Sequence, residues 1–153
     1  MPTFTGSNGA FTPATNQDNY TLEADTAGDV AKVVSIGWGG RLTTSTGYRT
    51  RWTRPTTAGS STFTALTKAS HTPSYDTPLC RVGTFATAPT LAADPAGNLF
   101  SQDWNAHGGL GFVVLPLANP WYLIQGLLTS QLSCRNIAGT DASGSSYQVT
   151  WEE

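Results

Sequence analysis

Two histidines and ten carboxylates are the groups with which this chain of 153 residues could do acid–base or metal chemistry. Asp103-Trp104-Asn105-Ala106-His107-Gly108-Gly109 is the densest polar-aromatic cluster, and Asp103 with His107 is the candidate acid–base pair. Residues four apart on a strand or turn do not reliably face each other, and no G-x-S-x-G nucleophile motif lies nearby. The expectation is a loop with a hydrogen-bonding histidine. His71 and Asp76 could ligate a metal, but no third ligand can be named. Gly108-Gly109-Leu110-Gly111 lacks the Lys-Ser/Thr ending and following helix of a phosphate loop. Glycoside hydrolysis would need paired acids on facing strands, whereas Asp18, Asp25, Asp29, Asp76, Asp94, Asp141, Glu152 and Glu153 fall in loops or near the end. Cys80 and Cys134 have no clustered zinc spacing. Without export they read as free buried thiols, with one disulfide as the alternative. These residues point to a protein that is not an enzyme and needs no cofactor or metal.

A different kind of chemistry sits in Ile36 to Gly59, IGWGGRLTTSTGYRTRWTRPTTAG. It holds four of the eight basic residues, Arg41, Arg49, Arg51 and Arg54, together with Trp38 and Trp52 and no acid. As a strand, YRTRWTR puts Tyr48, Thr50 and Trp52 on one face and Arg49, Arg51 and Thr53 on the other. A guanidinium row beside an aromatic row suits a carboxylate-bearing or polar partner surface. Arg, Trp and Tyr are also enriched at binding hot spots. The alternatives are an ordinary solvated or internally paired strand face, and nucleic-acid contact. Net charge of −2 weighs against the last, which needs an excess of Lys and Arg. The expected contact residues are Arg49, Arg51, Trp52 and Arg54, joined by Trp121 and Tyr122 in an apolar ribbon at 111–128.

Charged residues are 12% of the chain, against about 25% in a typical soluble domain. Thr is abundant, with 16 Gly and 9 Pro. A surface this poor in charge suits contact with other protein. MPTFTGSNGAFT has neither the basic start nor the apolar run of a signal peptide. No apolar stretch approaches the roughly 18–20 residues of a membrane span. Assembly in the cytoplasm, away from membranes, is expected.

The elements that must position these groups are strands. Residues 1–19 read as a polar arm and 20–153 as one β-sandwich domain. Candidate strands are Tyr20–Ala24, Val30–Trp38, Gly47–Arg54, Thr62–Ala69, Leu79–Ala86, Asn98–Trp104, Gly111–Leu117, Trp121–Leu128, Gln131–Ile137 and Ser146–Trp151. In the second, period 2 places Val30, Lys32, Val34, Ile36 and Trp38 on one side. Ala88–Gly97 reads as a loop, with a helical turn as an option. Short strands at roughly 8–12-residue spacing without an amphipathic helix mean a sandwich or barrel, about 8–10 antiparallel strands, and the long irregular connections suit a jelly roll. Gly111–Leu117 and Trp121–Leu128 read as a hairpin around Asn119-Pro120. Their continuous apolarity implies burial on both faces, in the middle of the sandwich or at a subunit contact. Trp38, Trp52 and Trp104 lie near turns and could form an exposed sugar-stacking platform, while Trp121 and Trp151 read as core.

Ile36-Gly37-Trp38-Gly39-Gly40, Thr43-Thr44-Ser45-Thr46, Arg49-Thr50-Arg51 and Arg54-Pro55-Thr56-Thr57 resemble a group of small structural proteins of tailed bacteriophages. The likeness extends to Trp104-Asn105-Ala106-His107-Gly108-Gly109 and the acidic end Val149-Thr150-Trp151-Glu152-Glu153, and only the 36–57 block is distinctive. The resemblance implies a capsid decoration (cement) protein of jelly-roll type. It would sit on the outer capsid surface of the virion, bind the major capsid protein and form a homo-oligomer, a trimer by preference. It carries no catalytic residues. The competing expectation is a glycan-binding sandwich module on a phage fibre or tail, and a β-fold hydrolase comes third.

Overall fold

The computed structural model describes residues 1–9, 17–24, 28–43, 45–71, 77–91, 98–116, 118, 121–124, 131–138 and 145–153. Among the described residues, fourteen strands run in chain order: β1 (Thr3–Ser7), β2 (Tyr20–Glu23), β3 (Val30–Gly40), β4 (Gly47–Thr53), β5 (Pro55–Thr57), β6 (Ser60–Ala65) and β7 (Thr67–Ser70). They continue with β8 (Arg81–Thr87), β9 (Thr90–Leu91), β10 (Asn98–Asn105), β11 (Leu110–Val114), β12 (Trp121–Ile124), β13 (Gln131–Ala138) and β14 (Ser145–Glu152). The fold is all-β. One six-stranded sheet has the order β11-β3-β14-β1-β7, with β12 also on β3. A second has the order β10-β4-β13-β2-β8-β6, and β5 with β9 makes a small ribbon. Every recorded pairing is antiparallel.

The two sheets pack face to face as a β-sandwich, because alternate residues of both carry aromatic and aliphatic side chains inward. Trp52 of β4 lies between Tyr20 of its own sheet (5.8 Å) and Tyr147 of the opposite one (6.1 Å). Trp104 of β10 meets Tyr147 at 6.4 Å, and Trp38 of β3 meets Phe100 of β10 at 5.6 Å. Leu22, Val33, Ile36, Val82, Leu132, Val149 and Trp151 complete this layer. Burying each large side chain stabilises the fold by roughly 1.5–3 kcal/mol.

Several sequence expectations change here. Residues 3–7 are not part of an arm: β1 runs between β14 and β7 inside the first sheet. TFTGS looks polar because one residue, Phe4, carries its inner face, packed 5.9 Å from the Trp151 ring. Gly6 must be small, since a Cβ there would come within 2.8 Å of both the Tyr20 hydroxyl and Val82, and Tyr20 Oη donates to the Gly6 carbonyl at 2.9 Å. Residues 10–16 lie outside the described residues.

The single-sided reading of Val30–Trp38 fails at Val34. The pairing of β14 with β3 shifts between Thr150↔Ser35 and Trp151↔Val33, leaving Val34 as an extra residue. A bulge reverses the parity of the strand, so Ala31 and Val33 face inward before it and Ile36 and Trp38 after it. Thr62–Ala69 is likewise two strands. Leu66 holds on to β8 through its N–H to Val82 O (2.8 Å), and the chain then crosses to the first sheet.

The 111–128 hairpin is also corrected. β11 and β12 do not pair with each other, and both pair with β3, at Ser35–Gly39 and Val30–Val33 respectively. They form one edge strand interrupted after Leu115, whose N–H still reaches Val34 O at 2.8 Å. Asn119, Pro120 and residues 125–128 of that reading, and residues 92–97 of the Ala88–Gly97 loop, lie outside the described residues.

Candidate functional site

The arginine–aromatic block divides into surface and core. Arg49 is exposed. Its Nε and Nη2 donate to Asp103 Oδ1 (2.6 Å) and Oδ2 (3.0 Å), its register partner on β10. The Arg49 hydrogen bond holds the Asp103 carboxyl below the usual carboxylate range. Trp52 is wholly enclosed and Arg51 is buried, so neither offers a surface contact. Tyr48, Thr50 and Trp52 do share one face, but it is the inner one. Arg54 is half-buried just beyond β4, and burial pushes its pKa down. Trp121 packs half-buried against the core, and Tyr122 stays exposed beside the Lys32–Glu152 ion pair (2.8 Å).

The acid–base candidates do not come together. Asp103 is engaged by Arg49, whereas His107 sits in the turn after β10 with its Nδ1 3.0 Å from Leu42 O. Gly108 in that turn has φ +71°, a conformation that favours glycine. His71 Nε2 lies 2.5 Å from Thr5 Oγ1, which also meets Thr150 Oγ1 at 3.0 Å. Asp76, its proposed co-ligand, is outside the described residues. Cys80 and Cys134 are separate buried thiols, and burial pushes the pKa of Cys134 up. Trp38 and Trp104 are buried like Trp52, so the exposed tryptophan platform does not exist. These rings lie near turns in sequence yet belong to strand faces that meet in the core.

Over β2, β8 and β13 the outer face of the second sheet is covered by the chain's own segments, whereas Arg49 and Asp103 at its β4–β10 edge stay exposed. Arg135 donates to Pro89 O, Gly59 N donates to Gln131 Oε1 at 3.2 Å, and a Cβ on Gly59 would overlap the Phe85 ring. Beneath lies a polar layer. Asp18 accepts from Thr21 Oγ1 (2.8 Å) and Phe85 N (2.8 Å), and Thr21 Oγ1 lies 3.1 Å from Ser133 Oγ. Glu23 accepts from Arg81 Nε (2.6 Å) and Gln131 Nε2 (2.7 Å), while Arg81 stacks 4.5 Å from the Phe63 ring centre. Arg51 and Arg135 oppose each other in register. The charge of Asp18 partly offsets that repulsion, although burial pushes the Asp18 carboxyl above its ordinary value. Here Asp18, Thr21, Glu23, Gln131 and Ser133 hydrogen-bond within the chain.

The first sheet is different. On the outer face of β11, Leu110 is 86%, Phe112 59% and Val114 63% exposed. Across β3 the residues opposite them are Gly39, Gly37 and Ser35, and on β14 beyond stand Ser146, Gln148 and Thr150. Gly37, without a side chain, leaves a trough of about 270 Å³ on this face. The Phe112 ring and Leu110 wall one side, and Ser146, Gln148 and Ser7 the other. None of its lining residues is charged. Leu99, Phe100 and Val113 are half-buried and pack against the core.

Of the expected contact residues, only Arg49, Tyr122 and, in part, Arg54 and Trp121 reach the surface. Phe112 and Val114 lie within the apolar ribbon expected at 111–128, and Leu110 falls just outside it. Their apolarity was visible, but an interior strand and an edge strand share the same run of letters, and only pairing distinguishes them. No protein-family model, curated protein or solved structure matches the chain.

Proposed function

We propose that the chain is a non-enzymatic structural protein of a tailed-bacteriophage virion, a capsid decoration (cement) protein that adds contacts between capsid subunits on the outer shell. The observation that carries this reading is the bare apolar rim of Leu110, Phe112 and Val114 on an edge strand, on a molecule with few charges. Uncovered patches of this kind mark interaction sites. The resemblance at Ile36–Thr57 supplies the viral context. A jelly-roll order within the sandwich belongs to the same proposal. It is supported by the repeated crossing of consecutive strands between the two sheets, as in β3 to β4, β6 to β7 to β8, and β12 to β13 to β14. The major capsid protein is the proposed partner, and each copy would add interface of the standard 1,200–2,000 Å² order, repeated by symmetry. The resemblance implies three copies. The rim itself favours a two-fold contact, because an antiparallel edge matches its own reverse.

The test is to add purified protein to capsids that lack it. Added surface density and a raised disruption temperature are expected, and unchanged shells would overturn the proposal.

A second reading is supported by the trough. A ring on one wall, a glycine floor and hydroxyl and amide groups opposite would suit a neutral sugar, whose apolar face stacks and whose hydroxyls hydrogen-bond. Gly37 and Phe112 line the trough, so their NMR resonances should respond to a bound saccharide. Gly37→Val, whose side chain would project beside Phe112, should abolish that response. A blank glycan screen would remove this reading.

A further inference from the structure

We propose that β11 pairs antiparallel with β11 of a second copy across a two-fold axis through Phe112, joining the first sheets of two molecules into one continuous sheet. This rests on the assembly reading above only in using the same rim, and it fails or stands separately.

The backbone register carries the inference. Gly40 N donates to Gly109 O (2.9 Å), and Leu115 N donates to Val34 O (2.8 Å). In an antiparallel ladder, bonded and non-bonded pairs alternate. Gly109, Gly111, Val113 and Leu115 therefore turn their N–H and C=O groups toward β3. Leu110, Phe112 and Val114 turn theirs outward, to an edge that no strand pairs with among the described residues. The same three residues expose their side chains, so the free donors, free acceptors and apolar groups sit at the same positions.

Unprotected edges of this kind are uncommon. Natural sheets blunt them with Lys, Pro or inward charges. The opposite edge of this sheet, β7, carries Lys68, and the neighbouring edge of the second sheet, β10, carries Asp103. β11, Leu110-Gly111-Phe112-Val113-Val114, has none of these.

The edge also fits its own reverse. A two-fold at Phe112 sets Phe112 against Phe112 and Leu110 against Val114, forming three bonded pairs and about six hydrogen bonds. Both apolar rows fall on one outer face. No charge in the strand repels its copy. A standard interface needs about 800 Å² from each partner, more than three side chains supply. The contact is therefore smaller than standard and leans on the backbone hydrogen bonds as much as on apolar area.

The contact is isologous and closes at two copies. In sedimentation across a micromolar concentration series, the wild type should approach twice the chain mass. Phe112→Lys, which sets two ammonium groups face to face, should stay at the single-chain mass with unchanged thermal unfolding. Cysteine cross-linking tests the register, since Cα atoms of a bonded pair lie about 5.5 Å apart, within disulfide reach. Phe112→Cys should cross-link to itself. Leu110→Cys and Val114→Cys should cross-link only when mixed, and exposed Leu79→Cys should not cross-link. A monomer at all concentrations, a trimer, a dimer that survives Phe112→Lys, or cross-linking indifferent to position would each overturn the inference. Wild type that stabilises shells while remaining monomeric would sink this pairing and leave the proposed function standing. A dimer that ignores shells would do the reverse.

Discussion

The outer faces of the two sheets have opposite fates. On the second sheet, Asp18, Thr21, Glu23, Gln131 and Ser133 are buried and hydrogen-bonded, with residues 59 and 89 contributing backbone groups from above. On the first, Phe112 and its neighbours stand open, and Gly37 leaves a trough where a side chain would otherwise be. A buried polar group must find a partner within the chain or cost about 1–3 kcal/mol, so the covered face is tied to stability. Leu110, Phe112 and Val114 on the open face carry no polar side-chain group that needs a partner, and can change with little effect on folding. Stability and interaction are therefore expected to separate by face.

The largest break in that contrast is in the core shared by both sheets. Trp52→Ala should cost about 3–5 kcal/mol in denaturant unfolding, whereas Phe112→Ala should stay within about 0.5 kcal/mol and affect assembly alone. If Trp52→Ala left stability untouched and weakened shell binding, Trp52 would be a contact residue and its core placement wrong. Phe4→Ala should be comparably severe, about 3–5 kcal/mol, because β1 is an interior strand; an arm would tolerate it.

Glu153 gives a smaller effect. Its carboxylate accepts from Leu79 N (2.7 Å), Cys80 N (2.8 Å) and Trp151 Nε1 (2.8 Å), clamping the start of β8 to the end of β14. Glu153→Ala should lose about 1–3 kcal/mol, read as a lower melting temperature.

The smallest effect sharpens the covered face by pH. Burial raises the Asp18 pKa from 3.8, so the folded state holds the proton to higher pH than the unfolded state. That stabilising contribution is full below 3.8 and falls as pH rises through the raised value. Unfolding free energy in wild type should decline across that window, and Asp18→Asn should flatten the decline. Arg49→Ala, on an exposed pair, should leave the melting temperature unchanged.

Strand positions were readable because period-2 alternation and Gly/Pro punctuation are local. Val30, Gly47, Trp121 and Gln131 begin strands where the pattern puts them. What went astray was set by distant partners. Val34 bulges only because β14 lies beside it, and β1 became visible as a strand only when Phe4 met Trp151. The Arg49–Trp52 alternation was legible, but not that its aromatic face points inward or that Arg51 would be roofed over. The rim was in view as an apolar run read either as sandwich interior or as a subunit contact, and the run alone does not choose between them.

The chain by itself determined its class. Thr, Val and aromatic residues in short alternating runs, sparse charge and no helical periodicity leave an antiparallel β-sandwich as the way to bury the apolar alternates. Tertiary structure alone decided which face of each strand looks inward and which strands end a sheet. Exposure and free edges are properties of neighbours, and those neighbours are brought in from dozens of residues away.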